Sequence, residues 1–220
     1  MGSEMCIRDR SGTAFPVLAE ETTPPAQTET QPGEVTPAVS EAEILPTENF
    51  GERLQALQLQ EGITKIVLKE GTYTLTANEL GRIAKAGLTI EGAGADKTVI
   101  DCAGKLTSGN AGILVEASNV TLKGLKIKTS VKFGTKKALV KAGKVAASAA
   151  VYPERISDFR LENVALEGDK ESAAGLDINS VDGFTLSNVT ISKSAKAGVG
   201  ITSGTKGTLT GVTTSESVWG

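Results

Sequence analysis

Apolar and polar residues alternate in short runs along most of the chain after residue 60, and one tripeptide pattern interrupts these runs. Each tripeptide contains an aliphatic residue, a variable residue and then Gly or Asn. The copies are Ile90–Gly92, Leu122–Gly124, Leu161–Asn163, Leu186–Asn188 and Leu209–Gly211. The last three follow one another at intervals of 25 and 23 residues. Alternation predicts β-strands, and a fixed interval of this length predicts stacked repeats.

Each of the later pairs of strands is preceded by another short strand, which is the first strand of its coil. These strands are predicted at Ile113–Val115, Val151–Pro153, Leu176–Ile178 and Val199–Ile201. Three strands and three turns per repeat predict an all-β fold, a parallel β-helix whose coils stack about 4.8 Å apart. A leucine-rich repeat would need a helix in each repeat, and a β-sandwich would not repeat its strands as triplets, so both are less favoured.

The Gly or Asn between paired strands indicates a tight bend, because both residues tolerate a left-handed backbone. We predict that the bends stack into one column formed by Gly92, Gly124, Asn163, Asn188 and Gly211. The apolar residues beside the bends should face the interior. These are Val120, Leu122, Phe159, Leu161, Phe184, Leu186 and Leu209.

From Ile63 to Gly220 the chain resembles the right-handed parallel β-helix superfamily of pectin-lyase-like proteins. The resemblance rests on the strand triplets, on Asn163 and Asn188, which match a stacked Asn ladder of that family, and on Lys65–Leu75, which is similar to its first coil. It implies that the first strand of each coil lines a substrate groove. Because the superfamily includes lyases, hydrolases, epimerases, adhesins and inert scaffolds, it implies a fold and not one activity.

The N-terminal part divides into three short segments. Residues 4–10 resemble the translation of a common sequencing adapter, so we expect residues 1–10 to be an artefact. Residues 11–19 resemble the end of a secretory signal peptide, which predicts a secreted or cell-surface protein; an ordinary linker is the alternative. Residues 20–47 are rich in Pro, Thr and Glu, which predicts a disordered acidic linker.

The β-helix itself is predicted over residues 48–220. It should begin with a capping helix over Asn49–Gln60, in which Phe50, Leu54 and Leu57 share one side. The sequence stops where another first strand would start, so we expect a truncated C-terminus. An uncovered strand edge there should make the fragment prone to self-association.

Composition restricts the chemistry that the chain can perform. The sequence has no His, which excludes Ser–His–Asp and Cys–His catalysis within it and departs from the His-containing polygalacturonase site. Cys102 is the only Cys after residue 10, so no disulfide is expected. No apolar run is long enough for a transmembrane helix. We predict no metal and no cofactor, with calcium a candidate only if the protein is a polysaccharide-cleaving enzyme.

Polar residues of the first strand of each coil, the short strand that precedes each pair, should form columns on one face of the β-helix. The predicted columns are Glu116, Glu154, Asn179 and Thr202, and Leu114, Tyr152, Asp177 and Gly200, with Arg155 beside them. Carboxylates on neighbouring coils would lie roughly 5 Å apart, a spacing suited to calcium or to acid–base catalysis. Glu116, Glu154, Arg155 and Asp177 are therefore catalytic candidates, although we favour an exposed polar face without shifted pKa values.

A lysine-rich segment supplies the second candidate site. The interval from Gly124 to Asn163 is longer than the later ones, and the extra residues fall between Thr129 and Ala147, after the third strand of the coil. The candidate ligand-binding residues are Lys132, Lys136, Lys137, Lys141 and Lys144. An anionic polysaccharide or cell-wall polymer would suit them. A solvated loop that balances the acidic linker is the alternative, and nucleic acid is not expected because the segment has no Arg and one aromatic residue.

Together these patterns predict a secreted or cell-surface module that binds glycan or adheres without catalysis. A lyase or hydrolase acting on acidic polysaccharide is the alternative. The absence of His and the shortage of aromatic residues favour binding, since sugar-cleaving clefts usually stack sugar rings on aromatic side chains. The basic loop and the stacked carboxylates favour the enzyme.

Overall fold

The chain forms a parallel β-helix in the computed structural model, which describes residues 40–134, 137–146, 153–171 and 174–218. In order, its elements are β1 (Ser40–Ile44), α1 (Phe50–Gln58), β2 (Ile63–Leu68), β3 (Gly71–Thr74), β4 (Arg82–Ile83), β5 (Thr89–Gly92), β6 (Thr98–Asp101), β7 (Ala111–Val115), β8 (Thr121–Lys128), β9 (Ala138–Ala142), β10 (Ile156–Glu167), β11 (Ala174–Asn179), β12 (Val181–Ser192), β13 (Ala197–Thr202), β14 (Thr205–Thr210) and β15 (Thr213–Ser215). The predicted fold class is confirmed.

The described strands follow three sides of the coil, and the ladders between them are parallel. Side A has the strand order β1-β2-β5-β8-β10-β12-β14, and side C has the order β4-β7-β9-β11-β13. Side B joins β3, β6 and β15 to the second halves of β8, β10 and β12. Each coil therefore passes from side C to side A and then to side B.

Left-handed bends separate side A from side B. The φ angle is 61° at Gly124, 53° at Asn163, 52° at Asn188 and 62° at Gly211. The Asn188 Nδ2 atom donates a hydrogen bond to Asn163 Oδ1 at 3.1 Å, so these side chains form a ladder between coils. Gly92 departs from the prediction because it is not left-handed. A side chain is excluded there instead by the Gly124 carbonyl oxygen, which would lie 2.5 Å from an added Cβ atom.

A second column of left-handed bends separates side C from side A, and the sequence analysis missed it. Its members are Asn119, Asp158, Gly183 and Lys206, with φ angles of 58°, 55°, 81° and 50°. Each lies five residues before a bend of the first column. Two fixed bends therefore bound each side A segment and hold its register.

The interior is a stack of aliphatic side chains in register. On side A, Ile66, Ile90, Leu122, Leu161 and Leu186 align in successive strands and are buried. The buried columns of sides B and C are Tyr73, Ile100, Ile127, Leu166 and Ile191, and Ile83, Val115, Ala142 and Ile178. Removal of this apolar surface from water is the main stabilising contribution. Leu209 continues the side A column but remains half exposed, contrary to prediction.

Helix α1 closes the N-terminal end of the coil, as predicted. Asn49 is its N-cap, and Phe50, Leu54 and Leu57 are buried beneath it. The helix contacts β1, β3 and β4, which are the first strands of the three described sides. It therefore covers the end of the apolar interior.

The start of the β-helix needs a correction. β1 lies inside residues 20–47, which were predicted to be linker, and it pairs with β2. Its acids are outward and form ion pairs with a lysine of β2 and with the lysine that follows it: Glu41 contacts Lys65 at 2.8 Å, and Glu43 contacts Lys69 at 2.6 Å. The linker residues before Ser40, the predicted artefact and the predicted signal segment lie outside the described residues.

The side C strand of the long coil also needs a correction. It is β9, at Ala138–Ala142, and not Val151–Pro153. Val151 and Tyr152 lie outside the described residues, and Pro153 lies outside a strand. The extra length of this coil therefore follows β9 and does not precede it.

An ion-pair ladder crosses the coils on side A. The Glu91 carboxylate lies 3.1 Å from Lys65 Nζ and 3.2 Å from Lys123 Nζ. Partial burial raises the pKa of Glu91, but hydrogen bonds and charges from both lysines outweigh it, so the net pKa is lowered. A lowered folded-state pKa means that this stabilisation is complete above the unfolded value and disappears as the pH falls through the folded value.

We expect Glu91→Gln to lose less stability than the parent between about pH 7 and pH 3. The difference should be about 0.2–1 kcal/mol per pair, since the carboxylate remains partly exposed. Urea denaturation across this range measures it. Identical pH dependence in the two proteins would contradict a role for the ladder.

Candidate functional site

Side C carries the predicted columns only in part, because β9 supplies Lys141 and not Tyr152. Leu114, Lys141, Asp177 and Gly200 align in register on neighbouring strands. Lys141 therefore occupies the position predicted for Tyr152. Its Nζ atom lies 3.4 Å from the Asp177 carboxylate. This places one lysine of the basic segment on the sheet itself.

Glu116 directly follows β7 and is less accessible than predicted. Its side chain is 11% exposed and forms an ion pair with Arg82 of β4. It also accepts a hydrogen bond from the Val145 backbone N–H at 3.3 Å. The sequence analysis missed Arg82, although aligning Ile83 with Val115 would have placed it on this face.

Lys144 brings the basic segment into contact with the candidate acids. Its Nζ atom donates to the Glu154 carboxylate, and this hydrogen bond together with the lysine charge lowers the pKa of Glu154. The Glu154 side chain is 81% exposed. Gly143, which follows Ala142 at the end of β9, occupies the column position that was predicted for Glu154.

An open cavity of about 370 Å³ lies at this end of side C. It is lined by Arg82, Ala84, Glu116, Lys144 and Val145, and we call it the Lys144 pocket. Two cations and one carboxylate line it, and the exposed Glu154 reaches it through Lys144. Guanidinium and ammonium groups donate charge-assisted hydrogen bonds to carboxylates, and here Glu116 and Glu154 accept them.

The structure separates Arg155 from the other catalytic candidates. Its Nη2 atom donates to the Val181 carbonyl oxygen at 3.1 Å and to Thr205 Oγ1 at 3.4 Å. Thr205 in turn donates to Asp182, which places Arg155 in a network that joins successive coils. The four candidates therefore do not form one cluster. Glu116 and Glu154 lie beside Lys144, Asp177 pairs with Lys141, and Arg155 contacts β12 and β14.

The remaining lysines do not converge on the pocket. Lys132 pairs with Glu171, and the hydrogen bond between them raises the pKa of Lys132. Lys137 donates to the Asn110 side-chain oxygen. Lys136 lies outside the described residues. Each described lysine of the predicted set therefore has a partner within the chain, and only Lys144 lines the pocket.

The described residues contain neither a metal-binding cluster nor a membrane-spanning helix. Among the residues that the structure describes, no three His, Cys, Asp or Glu side chains are grouped so as to hold a metal ion. In the same residues, no helix has the length and apolar character needed to cross a lipid bilayer.

The chain was also compared with known proteins. No protein-family model matches it, and none of the curated proteins matches its sequence.

Proposed function

We propose that the chain is a non-catalytic β-helix module that binds an anionic glycan at the Lys144 pocket. The observation that carries the proposal is the pocket lining, in which Arg82 and Lys144 face a single lining carboxylate, Glu116. A uronate carboxylate can accept hydrogen bonds from either cation. The neighbouring polar residues of side C, such as Asp177, supply contacts for further sugar units.

The exposure of Glu154 supports access by a ligand. An ion pair as exposed as this one is weak, because water screens both charges, so a ligand carboxylate can replace Glu154 on Lys144. Glu116, by contrast, is largely buried against Arg82 and stays with it. Glu154 therefore acts as a replaceable counter-ion, and Glu116 holds Arg82 in place.

The pairing of the acids supports binding rather than catalysis. Glu116, Glu154 and Asp177 are paired with Arg82, Lys144 and Lys141, respectively. A general acid needs a raised pKa at neutral pH, whereas the pKa of Glu154 is lowered. A polysaccharide lyase or hydrolase is the second candidate, and the observation favouring it is that two carboxylates lie close to the same pocket.

Secretion or display at the cell surface is part of the same proposal. Its support is the signal-peptide-like pattern of residues 11–19. Membership of the pectin-lyase-like superfamily stays a prediction that is supported by the strand triplets and the Asn ladder. Participation of Lys132, Lys136 and Lys137 in glycan binding also stays a prediction.

The test is calorimetric titration of the full chain with polygalacturonate. We expect Lys144→Gln to weaken binding by about fivefold or more, which corresponds to roughly 1 kcal/mol. Glu154→Gln should strengthen it, because it frees Lys144 from its counter-ion. Affinity should fall with added salt, since the contacts are exposed charges.

Lys97→Gln is the matched control, because it removes one exposed lysine from the turn before β6, outside the pocket. Equal losses in Lys97→Gln and Lys144→Gln would refute the assignment of the pocket. An assay for unsaturated uronates tests the lyase, and an assay for new reducing ends tests the hydrolase. Either product formed by the parent and lost in Glu154→Gln would replace the binding proposal by an enzymatic one.

A further inference from the structure

A second cavity, of about 250 Å³, adjoins the Lys144 pocket where β4 meets helix α1. It is lined by Gln55, Gln58, Leu59, Ala84 and Lys85, and we call it the Lys85 cavity. Ala84 also lines the Lys144 pocket, so the two cavities meet at this residue. Because Ala84 is exposed and its side chain is one methyl group, a ligand that lies in one cavity can continue into the other.

Helix α1 fixes the backbone between the two cavities. The Gln58 Nε2 atom donates a hydrogen bond to the Arg82 carbonyl oxygen at 2.9 Å, and Gln55 Nε2 donates to the same oxygen at 2.8 Å. Gln58 Oε1 accepts hydrogen bonds from the backbone N–H groups of Ala84 at 2.8 Å and Lys85 at 3.3 Å. The segment that carries both cations is therefore ordered before a ligand arrives, which lowers the entropy cost of binding.

Lys85 differs from Arg82 and Lys144 in having no carboxylate partner among the described residues. Its Nζ atom donates to the backbone carbonyl oxygen of Gln60, which carries no formal charge. Arg82 and Lys144, by contrast, form ion pairs with acids. No acid lines the Lys85 cavity. An anionic group that enters it meets a cation whose charge is not already neutralised by an ion pair.

Leu59 gives the Lys85 cavity an apolar surface. It directly follows α1, and it is 86% exposed. Aliphatic and cationic side chains side by side match the two kinds of surface of a uronate ring, since the ring has C–H groups on its face and a carboxylate at its edge. Burial of the C–H groups against Leu59 removes apolar surface from water, and Lys85 holds the carboxylate.

We propose that the Lys85 cavity is a second subsite for the anionic glycan, so that the ligand is an oligouronate that uses carboxylates of at least two sugar units. One carboxylate binds at Lys144 and another at Lys85, and the chain passes over Ala84. A single uronate has one carboxylate and can serve only one of these lysines. The inference rests on the function proposed for the Lys144 pocket, and it makes the capping helix part of the binding site.

Calorimetric titration of the 220-residue chain with galacturonate oligomers, from the dimer to the hexamer, tests the second subsite. The affinity of the parent should rise with oligomer length and level off once both subsites are filled, because the second contact is made within the same complex. Lys85→Gln should weaken hexamer binding about fivefold and reduce the rise with length. Leu59→Asp should have the same effect, since its carboxylate would pair with Lys85 as Glu154 pairs with Lys144.

Lys97→Gln is again the control, because Lys97 lines neither cavity, and it should bind the hexamer as the parent does. Weaker binding by Lys144→Gln, with parent-like binding by Lys85→Gln and Leu59→Asp, would overturn the second subsite and leave the Lys144 pocket standing. A parent affinity that is the same for the dimer and the hexamer would also overturn it. A parent that binds none of the oligomers, or parent-like binding by Lys144→Gln, would overturn the proposed function and the second subsite together.

Discussion

Leu161→Ala is expected to lower the free energy of unfolding by about 2–5 kcal/mol. Leu161 is fully buried, and in register it lies between Leu122 of the preceding coil and Leu186 of the following one. Truncation removes apolar contacts and leaves a cavity between coils that are fixed by their bends. Because the bends at Asp158 and Asn163 bound this segment, the backbone has little freedom to fill the cavity.

Leu209→Ala is the matched control, because Leu209 occupies the same column one coil beyond Leu186 but is half exposed. Its cost should stay below about 1 kcal/mol, since much of the side chain already contacts water. Guanidinium denaturation, at concentrations low enough to keep the chain monomeric, measures both. Comparable losses would show that burial within the stack does not determine stability.

The stack and its cap could be predicted because both depend on local sequence. Leu122, Leu161 and Leu186 recur at similar positions in alternating runs, and alternation alone assigns them to one face. The helix was predictable for the same reason, because Phe50, Leu54 and Leu57 share one side of a turn that Asn49 can cap. These signals need no knowledge of which strands become neighbours.

β1 and β9 could not be found in this way because their neighbours define them. Glu41 and Glu43 indicate an acidic linker until Lys65 and Lys69 are placed beside them. β9 directs Val140 and Ala142 inward and Lys141 outward, but it is short and lies among lysines, so it was taken as part of a lysine-rich loop.

The candidate site was predicted in part, and the residues that were misplaced follow from assigning the wrong segment to one strand of side C. Glu116 and Asp177 were placed on the correct face, but the use of Val151–Pro153 as the side C strand put Glu154 on the sheet and left Lys141 in a loop. The pair of Arg82 and Glu116 joins residues far apart in the chain, and only the correct alignment of side C brings them together. The chemistry of this face therefore depends on strand register more than on composition.

Gly143→Ala should have the second large effect, and it should act on both stability and binding. Gly143 has a φ angle of 127°, and an added Cβ atom would lie 1.8 Å from the Asn179 carbonyl oxygen. The obstacle is backbone, so no side-chain rotation relieves it. We expect a loss of about 2–5 kcal/mol, from overpacking together with the strained φ angle. Because β9 must move away from β11, Lys144 should shift and polygalacturonate binding should weaken.

Gly87→Ala separates the two causes. Gly87 also has a positive φ angle, 71°, but no atom lies within 4 Å of an added Cβ. Its substitution should therefore cost only about 1–2 kcal/mol, the price of a left-handed backbone for a residue with a side chain. Binding should be unchanged, since Gly87 lies outside the pocket. Equal losses of free energy for Gly143→Ala and Gly87→Ala in guanidinium denaturation would show that the close approach of β9 and β11 at Asn179 adds no strain of its own. Unchanged polygalacturonate binding by Gly143→Ala would show that this approach does not hold Lys144 at the pocket.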